Sequence, residues 1–522
     1  MPVPPAFVIL ANQRPSNQRI VKLFRHPFCL LSFALPPQLL LPLQFPPRWA
    51  LSSTSPPTSI SAHAMMLLRS TFAQNAPRAL QTSTVRGMAS AVAPGPRYDV
   101  SESAGVKVAN RDAPSSMGSL ILVAKAGPRY QPFPGFSEAL ESFAFKSTLK
   151  RSALRITREV ELLGGEISTT HSRENVVLKT KFLSNDLPYF AELLAEVASQ
   201  TKFPAHELNE HVIKLLKYKQ KAFFANSEAL ADDLAHGLAF HRGLGENIVP
   251  GLEVPIEKYL HVDAIAEFAK QVYVKPDIAV VGSGPNSADV SKWAGEFFKE
   301  LPSSPSSALF KPRPNVASKY FGGEQRVSSK AGNSIVVAFP GSSAFGTSGF
   351  KPELSVLASL LGGESTIKWT PGFSLLSQAT QGFSQLRVST KNHAYSDAGL
   401  FTIAVSGNAA QVTAASKTAV DTLKKVAAGE VSGEDIKKAA ALAKFRALES
   451  LQNLDTGLEA TGSALINGSN PYDAVELAQA IEKVTEQQVK DAAKSAISNK
   501  ASVAVVGDLF QLPFAEDLGL TV

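Results

Sequence analysis

The sequence predicts an α+β fold built by tandem duplication, each half a β-sheet covered by helices, and three observations carry this. Two apolar runs, Ile278-Ala-Val-Val-Gly282 and Val503-Ala-Val-Val-Gly507, are nearly identical and stand 225 residues apart. Val176–Phe182 and Leu400–Ser406 match as strands at almost the same offset. Glu207–Ala239 and Glu434–Leu465 match as long, paired helices. So long a period excludes a solenoid, whose units run to a few tens of residues.

Taken in order, residues 1–98 are a separate segment, 99–300 a first domain, 301–318 a linker and 319–522 a second domain. In the first domain Ser119–Ala124 is a strand leading towards a Gly, and Asp263–Val272 a helix feeding the strand Ile278–Gly282. In the second, Ser334–Phe339 and the helix Val484–Ile497 repeat those roles before Val503–Gly507. Runs such as Ile278–Val281 lack polar alternation, so helices should cover the strands on at least one face. The linker Leu301-Pro-Ser-Ser-Pro-Ser-Ser-Ala-Leu-Phe-Lys-Pro-Arg-Pro314 is Pro/Ser-rich and has no helical rhythm. The expected result is a clamshell of two halves.

Charge excludes a nucleic-acid binder. The net +7 is concentrated in the first segment: nine of the 52 basic residues precede Asp99, the first acidic residue. Residues 99–522 therefore carry 43 basic against 45 acidic residues, with no bulk basic footprint. The single cysteine, Cys29, also lies in the first segment, which excludes a disulfide, a thiolate metal site or a cysteine nucleophile from the two domains. The most apolar tract, Phe28–Leu43, is broken by Pro36, Pro37, Gln38 and Pro42 and is too short to span a membrane.

The first segment reads as an address. From Met66 to Arg86 it is rich in Arg, Ser and Thr and free of acids, the composition of a mitochondrial transit peptide. Residues 1–64 are too rich in proline pairs to belong to it, so translation is expected to start at Met65 or Met66.

Gly135-Phe-Ser-Glu-Ala-Leu-Glu-Ser-Phe-Ala-Phe-Lys-Ser-Thr148 resembles the metal-site helix of the pitrilysin-type (M16) metallopeptidases, whose motif is His-x-x-Glu-His. Glu159-Val-Glu-Leu-Leu-Gly-Gly-Glu-Ile-Ser168, Ser172-Arg-Glu174 and, in the second half, Tyr395-Ser-Asp-Ala-Gly-Leu-Phe401 extend the resemblance over residues 99–522. Carried across residue by residue, the site is degenerate. The first His position holds Glu138, the general-base position Glu141 and the second His position Ser142; a gapless count puts the third ligand at Lys219. No acidic residue falls between His211 and Ser227. A catalytic zinc needs about three protein ligands and an open water position. Glu138 and Glu141 are therefore expected to be solvated or structural carboxylates, with no catalytic residue, metal or cofactor.

For a mitochondrial member without the motif, the resemblance implies two possible roles. One is a structural core subunit of a respiratory complex, paired with a sister core protein around a cavity and attached beneath the cytochrome b subunit on the matrix side. The other is the substrate-presenting α-subunit of a processing peptidase, which carries a glycine-dense loop early in its second half. Gly362–Gly372 here has only Gly362, Gly363 and Gly372, with Trp369 and Pro371 between them, which favours the structural role.

Three other patterns are expected to be inert. His206 and His211, around Glu207-Leu-Asn-Glu210, lie five apart, about 140° round an α-helix, and should be surface residues. Val281-Gly-Ser-Gly284 lacks the third glycine of a dinucleotide loop and should be a strand-end turn. Leu361–Ser374 lacks a Gly-Lys-Ser/Thr ending and should be a loop over the clamshell mouth.

Overall fold

The computed structural model describes residues 97–522 apart from 114, 308, 311–316, 364–371, 384 and 451. Residues 1–96 with the expected transit peptide, the middle of the expected linker, and Trp369 and Pro371 lie outside the described residues. The first half contains strands β1 (Asp99–Ser103), β2 (Val106–Asp112), β3 (Met117–Ala124), β4 (Glu166–His171), β5 (Val176–Leu183) and β6 (Ile278–Gly284). Its principal helices are α1 (Phe136–Phe143), α2 (Leu187–Gln200), α3 (Ile213–Phe224), α4 (Ser227–Phe240), α5 (Val262–Val272) and α6 (Ser287–Phe297). The second half contains β7 (Gly323–Ser328), β8 (Asn333–Pro340), β9 (Arg387–Ala394), β10 (Gly399–Gly407) and β11 (Ser502–Gly507). Its principal helices are α7 (Pro352–Leu361), α8 (Ala409–Ala428), α9 (Gly433–Glu449), α10 (Leu454–Ile466) and α11 (Glu486–Ser498).

The sheets run β1-β2-β6-β3-β5-β4 and β7-β11-β8-β10-β9. Leaving out β1, the two orders superpose strand for strand. Each has one parallel pair, β2 with β6 and β7 with β11, and is otherwise antiparallel. The near-identical runs of the sequence become β6 and β11, at the same place in each sheet.

Both faces of the central strands of each sheet are buried, and each second face is covered by a helix from the other half. Leu120, Leu122 and Val280 point into a core with α1, α2 and α5, while Ile121, Val123 and Val281 point the opposite way, as period-two strand geometry requires. That opposite face packs on Leu458, Leu465 and Ile466 of α10, a second-half helix. In exchange α4 of the first half lays Leu230, Ala231 and Ala235 on Val336, Ala338, Ala504 and Val506 of the second sheet. The seam is tight: a Cβ on Gly462 of α10 would stand 2.5 Å from Val123 Cγ2. The halves are thus interlocked by exchanged helices, a closer union than a clamshell on a linker. Residues 301–318 show no helix or strand where they are described.

Two local details differ from the sequence reading. Strand β6 continues through Gly284, so Gly282-Ser-Gly284 is paired strand, with Asn110 Oδ1 2.5 Å from where a Gly282 Cβ would sit. The stretch Leu208–Val212 is a π-helical turn, so the α-helical angle argued for His206 and His211 does not hold there; both side chains are nonetheless exposed. No helix among the described residues is long and apolar enough to cross a membrane.

Candidate functional site

Helix α1 begins at Gly135, whose φ of 100° suits a residue without a Cβ. Phe136, Ala139, Leu140 and Phe143 fix the helix in the core. The same packing draws Glu138 inside, 1% exposed, with neither carboxylate oxygen hydrogen-bonded. Burial pushes its pKa up to about 7, against partial compensation from His171 and Lys219 and with a further rise from Glu141. Of the two expectations for Glu138, a solvated or a structural carboxylate, its burial agrees with the second. Helix α1 packs on α5 and β4, and Glu138 lies on the face of Glu141 and Ser142, about 100° or more round the helix from Phe136, Ala139, Leu140 and Phe143.

Glu141, three residues on, is paired on both oxygens. Its Oε2 lies 2.6 Å from His171 Nδ1, and Lys219 Nζ donates to Oε1 over 2.9 Å. Burial raises its pKa, but those two partners outweigh it and hold the carboxyl below its usual range. Ser142 Oγ and His171 Nε2 are buried without a hydrogen-bond partner. The structure thus brings Lys219 of α3 onto Glu141 and adds His171, at the end of edge strand β4. Sequence reasoning missed His171, because nothing local marks a polar residue at a strand end as facing a helix 30 residues earlier.

These residues do not fit a catalytic zinc. A Lys219 ammonium stands against the general-base carboxylate, repelling a cation and supplying the neutralising charge a metal would otherwise bring. Without a metal-bound water, Glu141 has no proton to abstract.

A second polar cluster joins the halves. Arg129, 6% exposed, donates to Glu174 Oε1 at 2.8 Å and, with two nitrogens, to Asp397 Oδ1 and Oδ2 at 2.7 and 2.8 Å. Glu174 in turn accepts from the Ser396 backbone N–H and hydroxyl. Arg173 pairs with Asp233 at 2.5 Å, and Tyr395 Oη lies 2.8 Å from His236 Nε2. The family-like segments Ser172–Glu174 and Tyr395–Phe401 therefore meet across the interface as a structural lock.

Comparison with known proteins agrees with this architecture. Residues 107–249 match the insulinase family (peptidase family M16), and residues 259–442 match the peptidase M16 inactive domain. The cytochrome b-c1 complex subunit 2 of Neurospora crassa is 48% identical over 453 residues, covering 87% of this chain and 98% of the relative. That of Yarrowia lipolytica is 36% identical, covering 81% and 96%. A mitochondrial-processing peptidase subunit alpha-2 of Dictyostelium discoideum is 27% identical, covering 77% and 88%. On this identity and coverage, the chain belongs to the M16 peptidase family, in its branch of mitochondrial cytochrome b-c1 complex subunit 2 proteins.

Proposed function

We propose that the chain is a non-catalytic structural core subunit of respiratory complex III, ubiquinol–cytochrome c reductase, supporting assembly and electron transport. The observation that carries the non-catalytic part is the Lys219–Glu141 ion pair, a fixed cation where a zinc peptidase requires a ligand. The 48% identity to a subunit of that complex over nearly its whole length supports the assembly role. Its partners are core protein 1, cytochrome b and the other subunits of a dimeric complex, and it binds neither nucleic acid nor a cofactor of its own. It sits on the matrix side of the inner membrane, held by protein contacts. Residues 1–98 carry the address, and 99–300 and 319–522 are the two domains either side of the 301–318 linker.

Native separation of mildly solubilised mitochondria, following this chain and b-type haem absorbance together, tests the reading. Co-migration in one large haem-containing assembly is the expected result. Migration with a haem-free matrix heterodimer would make the chain a processing-peptidase α-subunit instead.

A further inference from the structure

The second half holds a cavity of about 330 Å³ away from the degenerate zinc position. Its floor is the side of α10 opposite Leu458 and Leu465, the residues that pack on the first sheet: Ala460, Ser463 and Ala464, with Asn467 capping the helix end. Phe345 and Phe350, in the loop between β8 and α7, and Tyr472 beyond α10 make an aromatic wall. Asn392 of β9 and Ser355 in the first turn of α7 also line it. We propose that this cavity binds an uncharged purine base or nucleoside, its flat ring against the aromatic wall and its polar edge on Asn467.

Four observations support the assignment. The first is charge: no Asp, Glu, Lys, Arg or His lines this cavity, whereas Asp232, Lys391 and Arg446 line the larger one beside α4. A charged ligand would give up its hydration there without a counter-charge, so the site selects a neutral one. The second is the wall. The Phe345 ring stands edge-on to Phe350 at 5.3 Å and 89°, and to Tyr472 at 6.3 Å and 84°. Aromatic side chains of this kind are what nucleobases stack on. The third is an unused set of hydrogen-bonding groups. Asn467 spends one N–H on the Ser463 carbonyl, 2.9 Å away, and keeps the other N–H and its Oδ1. That side-by-side donor and acceptor match the N7 and amino group of adenine. Asn392 accepts from the Ser342 backbone N–H at 3.0 Å, while its Nδ2 and the Ser355 and Ser469 hydroxyls have no partner among the described residues. The fourth is rigidity. Ser342 Oγ accepts from the Lys351 backbone N–H at 2.7 Å, and Ser343 Oγ lies 2.6 Å from Thr347 Oγ1. The loop that carries the two phenylalanines is thus held by its own hydrogen bonds, and the cavity is preformed.

The test is calorimetric titration of the purified full chain with adenosine and, in parallel, with adenosine 5′-monophosphate. Asn467→Leu removes the amide edge, Ser469→Phe fills the cavity from the turn after α10, and circular dichroism checks that each variant is folded. The expected result is one saturable site for adenosine, with the monophosphate weaker by about tenfold or more. Each folded variant should lose about tenfold or more in adenosine affinity. Adenosine should also raise the melting temperature of the unaltered chain and not of the variants. No saturable binding of adenosine to the folded chain would overturn the proposal. So would monophosphate binding as tight as that of adenosine, or adenosine binding undiminished in both folded variants. The comparison of the two ligands needs no variant, so it tests the proposal even where a substitution prevents folding.

Discussion

Helix α1 and its second-half counterpart α7 occupy the same place in the duplicated fold and have taken opposite courses. Each follows the central strand of its sheet and packs on the edge strand and on the helix that feeds the last strand: β4 and α5 for α1, β9 and α11 for α7. In α7 the interior is Leu354, Val356, Leu357, Leu360 and Leu361. In α1 two of the inward positions are Glu138 and Glu141, and the structure surrounds them with Lys219 and His171. The second half answers the packing problem with apolar volume. The first retains the polar outline of a reaction centre and neutralises it from within. On α1 the two carboxylates fare differently: Glu141 is paired on both oxygens, whereas Glu138 has no hydrogen-bond partner and only the partial electrostatic compensation of His171 and Lys219.

Placing a carboxylate on α7 should break that symmetry most severely. Leu357 is fully buried in the apolar core of the second half, so Leu357→Glu should cost about 5 kcal/mol or more and prevent stable folding. Loss of the cooperative transition in chemical denaturation is the readout. Next comes the lock between the halves. Arg129→Ala strands Glu174 and Asp397 and should cost about 3–5 kcal/mol, seen as a shifted denaturation midpoint.

Glu138 gives a test with a sign. Its folded pKa of about 7 lies above the unfolded value of 4.5, so the folded state binds a proton that the unfolded chain has already released between those values. Its stabilising contribution is whole below pH 4.5 and disappears as pH rises through 7. Glu138→Gln should therefore raise stability at pH 8 by up to about 3 kcal/mol and flatten the decline between pH 4.5 and 7. A decline as steep in the variant as in the parent would remove Glu138 as its source. The smallest effect is expected from Lys219→Ala: its side chain is one-third exposed, solvent screens the pair, and about 1 kcal/mol or less should be lost, with Glu141 titrating at higher pH in carboxylate NMR.

Much of this was legible in the sequence, for identifiable reasons. The repeat could be read because β6 and β11 are short, nearly identical apolar runs, and a gapless count from the degenerate motif was enough to single out Lys219. The exchange of α4 and α10 was not legible. An apolar helix face declares that it will be buried, not which of two similar sheets will bury it. Glu138 stayed open between a solvated and a structural carboxylate because a glutamate on an amphipathic helix is usually solvated, and only its burial in the folded chain separates the two.

The central claim is that the Glu141–Lys219 site neutralises itself and performs no chemistry. Its most direct test removes both charges together, as Glu141→Gln with Lys219→Met, in the chain as it is assembled in mitochondria, and measures ubiquinol–cytochrome c turnover per b-type haem. Full assembly with unchanged turnover is predicted. Normal assembly with turnover reduced severalfold would contradict the account and return these residues to a working site.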